Sequence, residues 1–452
     1  MSLPPNCFDP WELFYNTDPV FRARADAAQA ERERVEALFS SGNPFLITNL
    51  LPELIDEILS HVTSKPDLAD CCLVSKALLP HAQRALYASV DFDFIEDGDH
   101  RGSYLLAPRE EHLHRTLTTS PVLGSLVKSV SLCLQDNKYA SYTAYRYRVN
   151  LAEVEDDEMY TLPPGWVEER KVDLPVVVHQ ILEKLPVVQQ LELDFGPRKL
   201  PFLSGLVLTS VTSLKAYKLS PSLLRAFPSV SHLEVGIPVA FDPKLYPPPS
   251  ALTSLHVVLR PGKSPYSPKK VVACFSFLLS NSTSSLEHLD LPFHPLFEFS
   301  LTSFLTLRHL RLDLTHGSKA PEGKEGQFPS FLETLPSSLE SIEISDSSRA
   351  NGEPVPLSDT YLAHLPASLT TASLSAGPFF PSTVLDFLRQ IKQQLPRLKK
   401  LHWTRFGIEV GHTSYLWEPW STEDIAEVHA LVAAKGLKWT PVAKATRSCG
   451  CE

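Results

Sequence analysis

Apolar residues set two rhythms along this chain, and the change between them marks its main internal boundary. The first runs through Leu51, Leu54, Ile55, Ile58, Leu59 and Val62, at intervals of three, one, three, one and three. That is the stripe of one helix face. Pro52 suits a first helical turn, where its missing N–H loses no partner. Glu53, Asp56 and Glu57 set acids toward the positive end of the helix dipole. A second helix is predicted from Pro66-Asp67, carrying Leu68, Cys71, Cys72, Val74 and Ser75 inward or sideways, and a third from Pro80, carrying Ala82, Ala85 and Leu86. Three short helices over residues 44–87 bury little apolar surface and need a partner, or the rest of the chain, to cover what remains. The second rhythm begins between Ala88 and Ile95, where Val90, Phe92 and Phe94 alternate with polar residues as in a strand with one buried face.

From there one frame recurs, apolar-x-x-apolar-x-apolar. Its copies are Val127/Val130/Leu132, Val188/Leu191/Leu193, Leu214/Tyr217/Leu219, Val230/Leu233/Val235, Leu252/Leu255/Val257, Leu286/Leu289/Leu291, Leu307/Leu310/Leu312, Leu339/Ile342/Ile344, Leu369/Ala372/Leu374 and Leu398/Leu401/Trp403. Between last apolar positions the spacings are 61, 26, 16, 22, 34, 21, 32, 30 and 29 residues. The fourth and sixth positions of each copy are expected to point inward from a short strand and the residues between them outward. Stacked copies then form a parallel sheet over a continuous apolar core. Apolar helical returns such as Val384, Leu385, Leu388, Ile391 and Leu395, followed by Leu-Pro or Phe-Pro pairs, complete a helix–proline–strand unit. The fold class expected is α/β: a small three-helix unit over 44–87, then an irregular repeat solenoid with a parallel sheet over 88–442.

Residues 1–43 read as a lead-in with a solvated helix from Asp18 to Phe39, and 443–452 as a tail. Two insertions are expected. Residues 136–175 carry Tyr139, Tyr142, Tyr145, Tyr147, an acidic run and Trp166, and 315–327 are polar. Each is either a solvated loop or one reaching over the sheet toward a ligand. At the end, Ser421-x-x-Asp424 resembles a helix-opening box, Ile425, Val428, His429 and Val432 form the stripe, and Gly436 stops it. Leu437–Val442 is expected to add a last strand.

Two family resemblances follow from these residues. Leu51-Pro52-x-Leu54-x3-Ile58-Leu59, then Asp67-Leu68-x2-Cys71-x2-Val74-Ser75-Lys76, resembles an F-box. The segment His81–Val90 is similar to the end of F-boxes in fungal proteins. Where many F-boxes place a tryptophan after this last triplet, the chain reads Ala77-Leu78-Leu79. The repeated frame resembles leucine-rich repeats in a degenerate form. The Asn or Cys that usually follows the last leucine is replaced by residues such as Gly196, Ser222, Pro238 and Arg260. The resemblance implies a substrate-recognition subunit of a Skp–cullin–F-box ubiquitin ligase. It would bind a Skp-family adaptor, and through it a cullin, while its repeats hold a target protein. The implied adaptor-binding residues are Leu51, Pro52, Leu54, Ile55, Ile58, Leu68, Cys71, Val74 and Ser75; the sequence does not divide them between the helical core and an interface. The alternative is a non-catalytic repeat scaffold with no ligase role.

Chemistry and charge narrow the picture further. The 452 residues carry a net charge of −10, which argues against a nucleic-acid ligand. The start has neither a basic stretch nor an apolar run of signal-peptide type, and no stretch is long and apolar enough to span a bilayer. No membrane partner is expected, and localisation is expected to be cytoplasmic and/or nuclear. Cys7, Cys71, Cys72, Cys133 and Cys274 read as buried thiols, and Cys449 and Cys451 as an incidental pair in the tail. Gly262-Lys263-Ser264 ends like a phosphate loop, but position 257 is Val where a Gly is needed. No catalytic constellation is found, so no enzyme, cofactor or metal is expected. Outward strand positions hold His232, His256, His288, His309 and His402, with Glu192, Asp194, Glu234, Asp290, Asp313 and Glu343 against Lys218, Arg311 and Lys400. These histidines are read as polar surface, as a pH-sensitive contact surface, or, if three or four converged, as metal ligands. The candidate target-binding set is Glu192, Asp194, His232, Glu234, His256, His288, Asp290, His309 and Arg311.

Overall fold

Proline starts and serine caps punctuate the first helices of the computed structural model, which describes residues 30, 33, 50–96, 104–106, 108–135, 170–196, 203–237, 241–258, 268–293, 300–314, 327–345, 359–374, 381–403 and 421–441. The lead-in helix (apart from Ala30 and Glu33, both helical), most of both insertions, the phosphate-loop-like triplet and Cys7, Cys449 and Cys451 lie outside these residues. The chain divides into two units, Met1–Ala88 and Ser89–Glu452.

In the first unit, α1 spans Pro52–Ser60, α2 Lys65–Val74 and α3 Leu79–Tyr87. Pro52, Pro66 and Pro80 each sit in a first turn. The Ser64 hydroxyl accepts from the Asp67 N–H at 3.4 Å and so caps α2. The Ser75 hydroxyl accepts from the Leu78 N–H at 3.1 Å and shapes the turn into α3. Ile55, Leu59, Leu68, Leu78 and Ala82 form the core, with Leu50, Val62, Cys71, Cys72, Ala85 and Leu86 packed around it.

The second unit is built on one sheet. Its strands are β1 Ser89–Glu96, β2 Tyr104–Leu106, β3 Ser129–Gln135, β4 Arg170–Val172, β5 Gln190–Asp194, β6 Ser213–Ala216 and β7 His232–Gly236. They continue with β8 Ser254–Val258, β9 His288–Phe293, β10 His309–Leu314, β11 Ser341–Ser345, β12 Thr371–Leu374, β13 Lys400–Trp403 and β14 Lys438–Pro441. The order is β14-β13-β12-β11-β10-β9-β8-β7-β6-β5-β3-β1-β2-β4. Every pair from β14 to β1 is parallel, and β2 and β4 close that side antiparallel. The helices between strands are α4 Pro108–Thr119, α5 Pro121–Gly124, α6 Leu174–Glu183, α7 Pro221–Ala226, α8 Pro268–Leu279, α9 Gln327–Glu333, α10 Pro381–Gln394 and α11 Thr422–Ala434.

Strand register follows the repeated frame. The fourth positions pair in one row, Val130↔Leu191, Leu191↔Leu214, Leu214↔Leu233, Leu233↔Leu255, Leu255↔Leu289, Leu289↔Leu310, Leu310↔Ile342, Ile342↔Ala372 and Ala372↔Leu401. All are buried, as are first positions such as Val188, Leu307 and Leu369. One copy corrects the expected frame. In β6 the row is occupied by Leu214 and then Ala216, with Val211 buried ahead of them. The third copy is therefore Val211/Leu214/Ala216, three residues earlier than expected. The neighbouring spacings of 26 and 16 become 23 and 19. Lys218 lies outside the strand, and Lys215 takes the outward place between the inward residues.

Two devices join successive repeats, a backbone one and, at several junctions, a side-chain hydroxyl. The second-position carbonyl accepts two successive N–H groups from the following repeat: Arg308 and His309 donate to Glu287 at 3.0 and 2.9 Å, Glu340 and Ser341 to Arg308 at 2.9 Å each, and Thr370 and Thr371 to Glu340 at 2.8 and 3.1 Å. Just ahead of the frame, hydroxyls reach back to the first-position carbonyl of the repeat before. Ser285 donates to Leu252 at 2.8 Å, Thr306 to Leu286 at 2.9 Å, Ser338 to Leu307 at 2.9 Å and Ser368 to Leu339 at 2.6 Å. Buried carbonyls at the strand entrance are thereby satisfied by side chains from the next coil. This hydroxyl row lies at the opposite end of the strand from the usual Asn or Cys row.

Two shorter strands were not expected. Arg170–Val172, together with the start of α6, occupies the end of the predicted first insertion, and Gln327 opens α9 at the end of the second. The terminal elements follow the sequence in part: Ser421 and Asp424 make a reciprocal capping box, Gly436 adopts φ 64° and β14 pairs with β13, but of the expected stripe only Val428 and Val432 are buried, while Ile425 is half-buried and His429 is exposed.

Candidate functional site: an apolar helix face and an ionic sheet face

The apolar stripe of α1 resolves into two. Ile55 and Leu59 point into the helical core and are nearly inaccessible, whereas Leu51, Leu54 and Ile58 are 66%, 48% and 43% exposed. A helix with apolar rows on adjacent faces buries one within its own unit and presents the other. On α2, Leu68 is buried while Leu73 and Val74 are 85% and 70% exposed. The structure thus divides the expected adaptor-binding set. Leu51, Pro52, Leu54, Ile58 and Val74 are exposed, and Cys71 is half-buried. Ile55 and Leu68 are corrected to core positions, because their side chains are enclosed by α1–α3. Ser75 is half-buried and committed to the turn before α3. Leu73 belongs with the exposed group; it stands at an unspecified position of the expected motif, which left it unnamed. Another face of α1 carries Asp56, which takes His81 Nδ1 at 2.7 Å and also pairs with Arg84, tying α1 to α3.

The outward face of the sheet is ionic. Residues between the inward positions of β5 to β11 form a chain of pairs: Glu192–Lys215 at 2.9 Å, Lys215–Glu234 at 3.9 Å, Glu234–His256 at 3.4 Å, His256–Asp290 at 3.2 Å, Asp290–Arg311 at 3.6 Å and Arg311–Glu343 at 3.4 Å. Parallel register makes this possible, since it sets one residue of each repeat beside its equivalent about 4.8 Å away. Asp290 is the least exposed member, at 20%. Burial pushes its carboxyl above the ordinary range, against the opposing pull of His256 and Arg311.

A second row runs through the first residue of each strand. His288 and His309 stack there, with ring centroids 4.5 Å apart and planes 14° from parallel. Burial, and then His309, lowers the pKa of His288. His232 lies two strands away, beyond Ser254, with its ring nitrogens 3.0 Å from the Ser231 hydroxyl and 3.4 Å from that of Thr253. Asp194 occupies an outward position at the end of β5, where its carboxylate accepts from the Gly196 N–H at 3.4 Å. The whole expected target-binding set therefore lies on neighbouring strands of one face. Lys215, hidden from sequence reading by the displaced frame, completes it.

No group of three or more His, Cys, Asp or Glu among the described residues is arranged to hold a metal ion. No described helix is long and apolar enough to cross a membrane. Cys274 is buried, and burial pushes its thiol up to about 12; Cys71, Cys72 and Cys133 are half-buried, a correction to the expected full burial. The raised Cys133 thiol, desolvated beside Glu192, Asp93 and Asp194, is a poor nucleophile.

The arrangement defines a repeat protein with one leucine-built parallel strand per coil, preceded by a separate three-helix unit. The sequence matches no protein-family model, and no curated protein matches it. Among solved structures, it is similar to the leucine-rich repeat-containing protein LegL7 from Legionella pneumophila. Identity is 15% over 76% of this chain and 79% of that one, with a TM-score of 0.30. A score that low does not carry the fold, which strand register establishes by itself.

Proposed function

We propose that this chain is the substrate-recognition subunit of a Skp–cullin–F-box type ubiquitin ligase, working in the cytoplasm and/or nucleus. The observation that carries the reading is the exposed row Leu51, Leu54 and Ile58, joined by Val74, on the helical unit that bears the F-box-like motif. An apolar row exposed on a small helical unit marks an interaction site. In this reading the row docks on a Skp-family adaptor, which joins the chain to a cullin. The sheet face, polar and charged on both sides of neutrality, suits a protein target. The chain performs no bond chemistry. It raises the effective concentration of a target lysine near a ubiquitin-charged enzyme bound elsewhere.

The test is capture of a purified Skp-family adaptor by the full chain, beside a Leu54→Glu/Ile58→Glu variant. The expected result is binding by the wild type and a loss of about 30-fold or more in the variant, about 2 kcal/mol, with helix content unchanged. A wild-type chain that does not bind the adaptor, or a variant that binds equally well, would leave the alternative of a repeat scaffold outside any ligase.

A further inference from the structure

The ion-pair chain on the sheet has an internal symmetry. Glu192–Lys215–Glu234 and Asp290–Arg311–Glu343 are both acid–base–acid triads, and His256 alone stands between them. Its Nδ1 faces Glu234 at 3.4 Å and its Nε2 faces Asp290 at 3.2 Å. A neutral imidazole has one N–H and donates to one carboxylate, turning a lone pair toward the other; an imidazolium donates to both. We infer that His256 is a proton-operated joint in the outward face, closing two triads into one continuous ladder when it carries its second proton.

The charges support this arrangement. Four carboxylates and two permanent cations leave the seven-residue row at −2 with a neutral His256 and at −1 with a charged one. The proton also lies where Glu234 and Asp290, which face each other across β8, gain most from an intervening cation. The groups around the joint are Glu234 and His232 on β7 and Asp290 and His288 on β9. Lys215 on β6 draws on Glu234, and Arg311 on β10 draws on Asp290. An open joint withdraws the His256 N–H from one of the two carboxylates, which keeps only its Lys215 or Arg311 contact and can accept from a partner's donor, while a closed joint donates to both. This consequence rests on the sheet being the target-binding face; the joint itself does not.

The experiment compares thermal midpoints of the full chain at about pH 6 and about pH 8. His256→Gln removes the titrating proton, and His256→Lys installs a permanent cation. A joint predicts that His256→Gln lowers the midpoint by about 1–2 °C more at the acid pH than at the alkaline one. It also predicts that this difference disappears in a Glu234→Gln/Asp290→Asn background, and that His256→Lys loses no stability between the two conditions relative to His256→Gln. Equal losses at both pH values would overturn it. So would a difference that persists in the double-variant background, which would place the partner of the His256 proton outside these two carboxylates. Because the readout is stability, failure of adaptor capture would remove the receptor reading and leave this result standing.

Discussion

The outer row of α1 and the outward row of the sheet are both accessible, yet they are incomplete in opposite ways. Leu51, Leu54 and Ile58 keep much of their apolar surface accessible; the free energy of that exposed part is gained only when something covers it. The sheet row is largely completed from within, since each of Lys215, His256 and Arg311 is shared between two carboxylates on neighbouring strands. An apolar row attaches without much regard to salt or pH. A self-paired ionic row exchanges its own contacts for a partner's and gains little affinity from each exchange, but it discriminates.

The sharpest way to break this contrast is to swap expectations within α1. Ile55→Ala or Leu59→Ala should destabilise the helical unit by about 2–5 kcal/mol, measured by denaturant unfolding. Leu54→Glu, one residue away, should leave unfolding nearly unchanged. If both rows respond alike, the outer row is structural. Next in size is the hydroxyl row. Ser338→Ala or Ser368→Ala should each cost about 1 kcal/mol in the same measurement, because the Leu307 or Leu339 carbonyl then loses its side-chain donor. The smallest effects belong to the ionic face. Lys215→Ala should lower stability by no more than about 1 kcal/mol, and added salt should shrink the loss. His288 gives a pH signature of its own. Its folded-state pKa is lowered by burial and by His309, so its neutral form is favoured and stability falls as pH drops through the unfolded value. His288→Gln should flatten that acid-side decline in thermal midpoint, the reverse of the trend predicted for His256.

Much of this was legible in the chain because a parallel repeat writes its register into the sequence. Leu289, Leu310 and Ile342 are neighbours in space for the same reason that they share a frame position. Reading failed where several residues satisfied one frame. Leu214, Tyr217 and Leu219 fit it as well as Val211, Leu214 and Ala216, and only the pairing with β5 and β7 selects the second set, because an alanine is a weak apolar signal. The three-residue strands β2 and β4 are too short to show alternation. Nor did α1 reveal which of its two apolar rows faces inward, since Leu54 and Ile55 are chemically alike and only the positions of α2 and α3 separate them. The hydroxyl row was hidden by the ordinariness of Ser and Thr before a strand.

The position of the joints between coils has an evolutionary consequence. Both the doubly accepting carbonyls and the hydroxyl row sit where the chain enters each strand. There the described stretches from helix to strand within the second unit run from three residues, Ala434 to Lys438, to eight, Leu279 to His288. Among the parallel strands from β3 to β13, the residues between a strand and the next described element number from four, Ala216 to Pro221, to 34, Gln135 to Arg170. One rim is held to a fixed gauge by assembly, and the other is released from it. Insertions and deletions can accumulate along the released rim without disturbing the stack, so a lineage can remodel what this protein meets there while inheriting the same sheet.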